Sequence, residues 1–124
     1  MPINNREHGN MGESAVVSFL MKLGYDIVER NYRCKQGEID IITRTYSGCL
    51  VFVEVKTRSG NQCGSPIEAV TRSKRQKIVR VAQHYLIENN LYDKIDVRFD
   101  IAEVFDEFIP PQINYVENAF ISGE

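Results

Sequence analysis

The stretch Val51-Phe52-Val53-Glu54-Val55-Lys56 reads as a β-strand, with β-branched valine at every second position and phenylalanine between two of them. Successive side chains of a strand point to opposite faces, so Val51, Val53 and Val55 line one face. Phe52, Glu54 and Lys56 share the other. One side of the strand is purely apolar. The other passes from an aromatic ring to a carboxylate and then to an ammonium. Either that second face runs out into water, or its two charges meet something there.

The segment upstream supplies a partner. Ile39 to Arg44 reads as another strand, joined through Tyr46-Ser47-Gly48 to a strand over Leu50 to Thr57 as a hairpin. Opposed residues of an antiparallel pair share a face. A three-residue loop centred on Ser47, with Gly48 left-handed, sets Asp40 against Glu54 and Glu38 against Lys56. A two-residue turn over Ser47-Gly48 sends Asp40 to the other face. Both registers are open at this level.

In the convergent register the Cβ atoms of Asp40 and Glu54 stand about 4.5–5.5 Å apart. Two carboxylates that close repel unless a positive charge lies between them. Hard divalent ions such as Mg²⁺ favour one or two carboxylates completed by water and phosphate oxygens. Such an ion polarises a phosphate and acidifies a bound water. Lys56 is placed to orient that water or to neutralise charge growing on the phosphoryl oxygens. The plainer alternative is an amphipathic strand whose charged end is solvated, and a short acid, acid-x-lysine pattern does not choose between them.

The rest of the chain frames this hairpin as a single α/β domain over residues 1–124, a mixed sheet with flanking helices in the order αβββαβ. Ala15, Val16, Phe19, Leu20 and Leu23 recur at helical spacing, predicting a helix over 11–23 that stops at Gly24. A strand follows around Tyr25 to Arg30. Ser65-Pro66-Ile67-Glu68 is a capping box with proline at the first helical position. Ser73 is the expected cap of a second helical segment reaching about Asn89. Ile95, Val97, Phe99 and Ile101 alternate with Asp96, Arg98 and Asp100, a strand with one buried face. Beyond Pro110-Pro111, Ile113 to Phe120 is expected to pack back on the domain.

Composition excludes several classes. With 43% hydrophobic and 26% charged residues, the chain is neither disordered nor a membrane span. Met1 to Ser14 has no apolar core, so no signal peptide and a cytoplasmic location are expected. Cys34, Cys49 and Cys63 form no Cys-x-x-Cys pair; reduced structural thiols are expected, and a zinc site with His84 would need tighter spacing. The net charge of −2 hides an asymmetry: residues 1–80 carry +5 and residues 81–124 carry −7. The basic half suits a polyanion. Its densest stretch, Arg72 to Arg80, contains Lys74, Arg75 and Lys77, either a phosphate-contacting face or a solvated one.

Gly37-Glu38-Ile39-Asp40 followed by Val51 to Arg58 resembles the PD-(D/E)xK nuclease core of the restriction-endonuclease-like fold. The whole chain resembles the bacterial YraN-like family of uncharacterised proteins, which is related to archaeal Holliday-junction resolvases. That resemblance covers Gly12-Glu13, Asn31-Tyr32-Arg33-Cys34, Gly64-Ser65-Pro66, Glu68-Ala69-Val70, Lys74, Arg98-Phe99-Asp100 and Asn118-Ala119-Phe120. Ile39 stands where the motif's name has proline, a position without chemistry.

The resemblance implies Asp40 and Glu54 as metal ligands with the Val55 carbonyl as a third, Lys56 as the catalytic lysine, and Glu13 as a helix-borne acid reaching the site. It implies Mg²⁺ or Mn²⁺ as the cofactor. The expected function is a metal-dependent endonuclease of DNA repair or recombination, hydrolysing phosphodiesters in DNA, branched or flap structures included. DNA is expected ahead of RNA, with Lys74, Arg75, Lys77 and Arg58 contacting it. No membrane partner is expected, and a homodimer would serve symmetric cutting of two strands. The alternative is a nucleic-acid-binding or assembly module that keeps the fold without turnover.

Overall fold

Leu50, Val51, Phe52 and Val53 are each at most 1% exposed, so the strand they begin is covered on both faces. In the computed structural model, which describes residues 5–58 and 70–122, this strand is the third of five. The elements run α1 (Asn5–Lys22), β1 (Asp26–Cys34), β2 (Gly37–Arg44), β3 (Leu50–Arg58), α2 (Arg72–Glu88), β4 (Val97–Phe105) and β5 (Gln112–Phe120). The αβββαβ order is as expected, and the tail that packs back adds a fifth strand. The sheet lies in the order β1-β2-β3-β4-β5. Only β3 and β4 are parallel, which makes the sheet mixed.

Alternation along β3 divides the core in two. Val51 and Val53 join Val16 and Leu20 of α1, with Ile41, Ala102 and Val104. Leu50 and Phe52 join Ile78, Val81, Ala82, Tyr85 and Leu86 of α2. On this second face an aromatic row crosses the sheet. Phe52 stacks on Phe99, and Phe99 on Phe120, with centroids 5.6 and 5.2 Å apart. Aromatic pairs in this range add roughly 0.5–1.5 kcal/mol beyond the area they bury.

Several expectations change. Helix α1 begins at Asn5 rather than residue 11, and Leu23 lies beyond its end and is exposed. The N-cap of α2 is Thr71, not Ser73: Thr71 is extended, and its hydroxyl accepts the Lys74 N–H. The capping box at Ser65-Glu68, with Cys63, lies outside the described residues.

The largest correction concerns β4, which was expected to bury one face. Its polar side is covered as well: Ala102 and Val104, on the same face as Asp100, pack with Val16 and Leu20 of α1, and Asp100 is 0% exposed. Arg98 donates to both oxygens of Asp100, Tyr115 donates its hydroxyl, and Asn118 donates its backbone N–H. These bonds supply the partners that a buried carboxylate requires.

Candidate active site

The hairpin loop fixes what the sequence left open. Gly48 has φ 93°, and Thr45 and Cys49 are bridged by a backbone bond of 2.9 Å. This is the three-residue loop, and it pairs Arg44 with Leu50, Thr43 with Val51, Ile42 with Phe52 and Ile41 with Val53. The next opposed positions are Asp40 and Glu54. There the ladder stops, because β2 leaves β3 while staying paired to β1 as far as Gly37. Ile39 and Ile41 should share a face, yet Ile41 is buried on the α1 side and Ile39 on the α2 side. Asn31, opposite this turnover on β1, has φ 55°.

At the fork, the Asp40 carboxylate accepts the Val55 backbone N–H at 2.8 Å. That bond satisfies a donor which the departing strand no longer serves. The Glu54 side chain is only 11% exposed and lies within hydrogen-bonding reach of Asp40. Burial, then Asp40, then the more distant Glu38 push the Glu54 carboxyl well above the ordinary carboxylate range; Lys74 pulls the other way. Its Oε2 has no hydrogen-bond partner among the described residues.

Glu13 comes to the same fork from α1. Gly12 makes this approach feasible, since a Cβ there would lie 2.6 Å from Thr57 Oγ1 on β3. The Glu13 carboxyl is raised by burial and then by Asp40, with Arg30 and Asn31 lowering it and Glu38 adding to the rise. Its Oε1, too, has no hydrogen-bond partner among the described residues. Asp40, far from both in sequence, therefore acts electrostatically on Glu13 and on Glu54.

Lys56 is exposed and follows Glu54 along the same face of β3. Glu54, Val55 and Lys56 line one wall of an open cleft of about 330 Å³, and Val70, Thr71 and Lys74 line the other. Two of the expected neighbours are elsewhere. Glu38 was set against Lys56 by the hairpin register; with β2 already departed, it pairs with Arg33 of β1 instead. Arg58 was expected to contact nucleic acid; it is 6% exposed and paired with the buried Glu103. Asn114 donates to the other oxygen of Glu103 at 3.0 Å.

Of the basic residues on α2, Lys77 is exposed, Arg75 is half-buried, and Lys74 turns toward the cleft, its Nζ 3.7 Å from Glu54 Oε2. Sequence reasoning had placed Lys74 with the phosphate contacts and missed its link to Glu54. The one available signal was its position in the first turn of a capped helix.

A pair of opposed carboxylates, one enclosed and short of a partner at a cleft mouth, suits a hard divalent ion completed by water and phosphate oxygens. Among the described residues, no three His, Cys, Asp or Glu side chains form a metal cage by themselves. No helix among the described residues is long and apolar enough to cross a membrane.

The model of the uncharacterised protein family UPF0102 matches residues 12–104, a span that includes Glu13, Asp40, Glu54, Lys56 and Lys74. A UPF0102 protein of Clostridioides difficile (strain 630) is 45% identical over 118 residues, covering 95% of this chain and 100% of its own. One from Caldicellulosiruptor saccharolyticus is 43% identical over 122 residues, with 95% and 100% covered. Among solved structures, EndoMS in complex with dsDNA is similar at a TM-score of 0.41 and 13% identity, over 72% of this chain and 34% of that one. SfsA of Pyrococcus furiosus, in complex with Ca²⁺, is similar at 0.34 and 16% identity, over 93% of this chain and 64% of that one.

Proposed function

The chain belongs to the UPF0102 family, and we propose that it is a Mg²⁺- or Mn²⁺-dependent endonuclease that hydrolyses phosphodiester bonds in DNA. The observation that carries this reading is the enclosed Glu54 carboxylate facing Asp40 at the fork of β2 and β3. An arrangement that raises the proton affinity of a carboxyl and leaves an oxygen without a partner stores a preference for a cation. Asp40 and Glu54 would hold the ion, with the Val55 carbonyl beside them. Bound there, it would supply Lewis acidity and an acidified water.

The remaining roles belong to the chain. Lys56, exposed on the Glu54 side of the cleft, orients the attacking water and offsets charge on the phosphoryl oxygens. Glu13 closes the α1 side of the fork and holds that water or its proton. Lys77, exposed on α2, and the half-buried Arg75 position the backbone of the nucleic acid. Arg58 has no part in that contact. Branched or flapped DNA is the substrate class that the junction-resolvase resemblance implies, with a homodimer serving paired cuts and the cytoplasm as the location.

The test is a cleavage screen over single-stranded, duplex, flap and four-way DNA and their RNA counterparts, with Mg²⁺ and with Mn²⁺. Asp40→Asn serves as the control. Metal-dependent products that vanish in Asp40→Asn support the endonuclease. Binding without cleavage on every substrate leaves a nucleic-acid-binding module.

A further inference from the structure

Lys74 occupies an unusual position for a surface lysine. Its Nζ lies 3.7 Å from Glu54 Oε2, too far for a hydrogen bond but close enough for a strong charge interaction. The two partners are unequal: the Lys74 side chain is 48% exposed and the Glu54 side chain 11%. Asp40 and Glu38 both disfavour the Glu54 anion, whereas Lys74 favours it. The Lys74 backbone is held in the first turn of α2 by the Thr71 cap at 3.1 Å. Its ammonium, at the end of a flexible four-carbon stem, can swing without moving the helix. Lys56 faces it across the same cleft.

We propose that Lys74 is the site's resident cation. In the metal-free protein its ammonium stands at the Glu54 carboxyl, 3.7 Å from Oε2, where a divalent ion would have to displace it; when that ion is bound, the ammonium is released to a phosphate of the nucleic acid. The inference rests on the metal-site reading above and adds a coupling to it: metal loading and phosphate binding draw on one lysine. Glu54 cannot be served fully by both cations, because two positive charges on one carboxylate repel each other. A released Lys74 stands in the cleft that leads to Lys56, where a strand passing over the site would place a phosphate.

The experiment compares wild type, Lys74→Met and Lys74→Arg. Mn²⁺ alone is titrated into each protein by calorimetry, without nucleic acid. Lys74→Met should bind Mn²⁺ about tenfold more tightly than wild type, because its competitor is gone. Lys74→Arg should stay near wild type. Duplex DNA binding is then read by anisotropy in EDTA and in Mn²⁺, with the duplex checked for integrity on a gel. Lys74→Met should match wild type in EDTA and bind severalfold more weakly in Mn²⁺.

Unchanged or weaker Mn²⁺ affinity in Lys74→Met overturns the proposal. So does an equal loss of DNA binding in both conditions, which would make Lys74 an ordinary phosphate contact. If wild type itself takes up no Mn²⁺, the metal-site reading fails and this inference with it. If wild type binds Mn²⁺ and Lys74→Met behaves identically, only the coupling fails.

Discussion

Asp40 and Val55 are joined by a 2.8 Å hydrogen bond from the Val55 backbone N–H to the Asp40 carboxylate, one and two residues respectively beyond the Ile41–Val53 rung that ends the β2–β3 ladder. The carboxylate thus does structural work in the absence of any ligand. It ends a strand pairing and holds β3 against Asp40 while β2 turns away. Charge and hydrogen-bond acceptance at Asp40 are therefore separable by substitution.

Asp40→Asn keeps an oxygen for the Val55 N–H and removes the charge that opposes Glu54. The metal-free variant should melt at or above the wild-type temperature and lose most of its Mn²⁺-dependent rise. Asp40→Ala leaves the part-buried N–H without its acceptor and should cost about 1–3 kcal/mol. Urea and thermal melts of both variants, with and without Mn²⁺, decide this. Equal stability of the two variants would mean that the bond to Val55 contributes nothing.

The pH dependence of the metal-free fold should carry Glu54's signature. Its carboxyl rises from an ordinary 4.5 to about 9 in the folded chain, through burial first and Asp40 second. The folded state then binds more protons than the unfolded one between those values. Glu54's contribution is fully present below about pH 4.5 and is lost as pH rises toward 9. Urea midpoints should fall across this window in wild type and flatten in Glu54→Gln. A wild-type curve no steeper than that of the variant would rule out a raised Glu54.

Gly12→Ala tests how Glu13 reaches the fork. The new methyl would meet Thr57 Oγ1 at 2.6 Å, and the β-branched threonine has little freedom to yield. Overpacking of this kind costs about 1–3 kcal/mol, more than the roughly 1 kcal/mol that alanine gains over glycine in a helix. The single variant should lose stability. Adding Thr57→Ala removes the clash, so the double variant should be at least as stable as Thr57→Ala alone. A double-mutant cycle by denaturant melts measures the coupling.

Basic residues that look alike in the sequence should respond differently. Arg58→Ala leaves the buried Glu103 with the Asn114 hydrogen bond but without its opposite charge, and should destabilise the fold by about 3–5 kcal/mol. Lys77→Ala changes an exposed helix position and should stay within about 0.5 kcal/mol. On DNA the order reverses. Lys77→Ala together with Arg75→Ala should weaken binding and flatten its salt dependence, by about 0.9 per phosphate lost on duplex. Unchanged affinity and slope would leave α2 a solvated face.

What the sequence determined by itself is the local record. The valine alternation marked β3, the helical spacing of Val16 and Leu20 marked α1, and the turn residues before Cys49 bounded the hairpin. Periodicity records the face on which each side chain lies, because it depends on backbone geometry within one element. It also brought Asp40, Glu54 and Lys56 to one candidate site, conditional on a register that differed by a single residue. Only the tertiary structure decided that register, through the left-handed Gly48. It alone paired Arg58 with the buried Glu103 and stripped the polar side of β4 of its solvent, because α1 packs over that side while β5 brings Tyr115 and Asn118 to Asp100. It also sent Glu38 to Arg33 and Lys74 to Glu54. An arginine bound for a buried ion pair and one bound for water have the same side chain and can occupy the same place in an alternating pattern. Their difference lies in which distant element packs against them, and that follows from the docking of whole helices and strands.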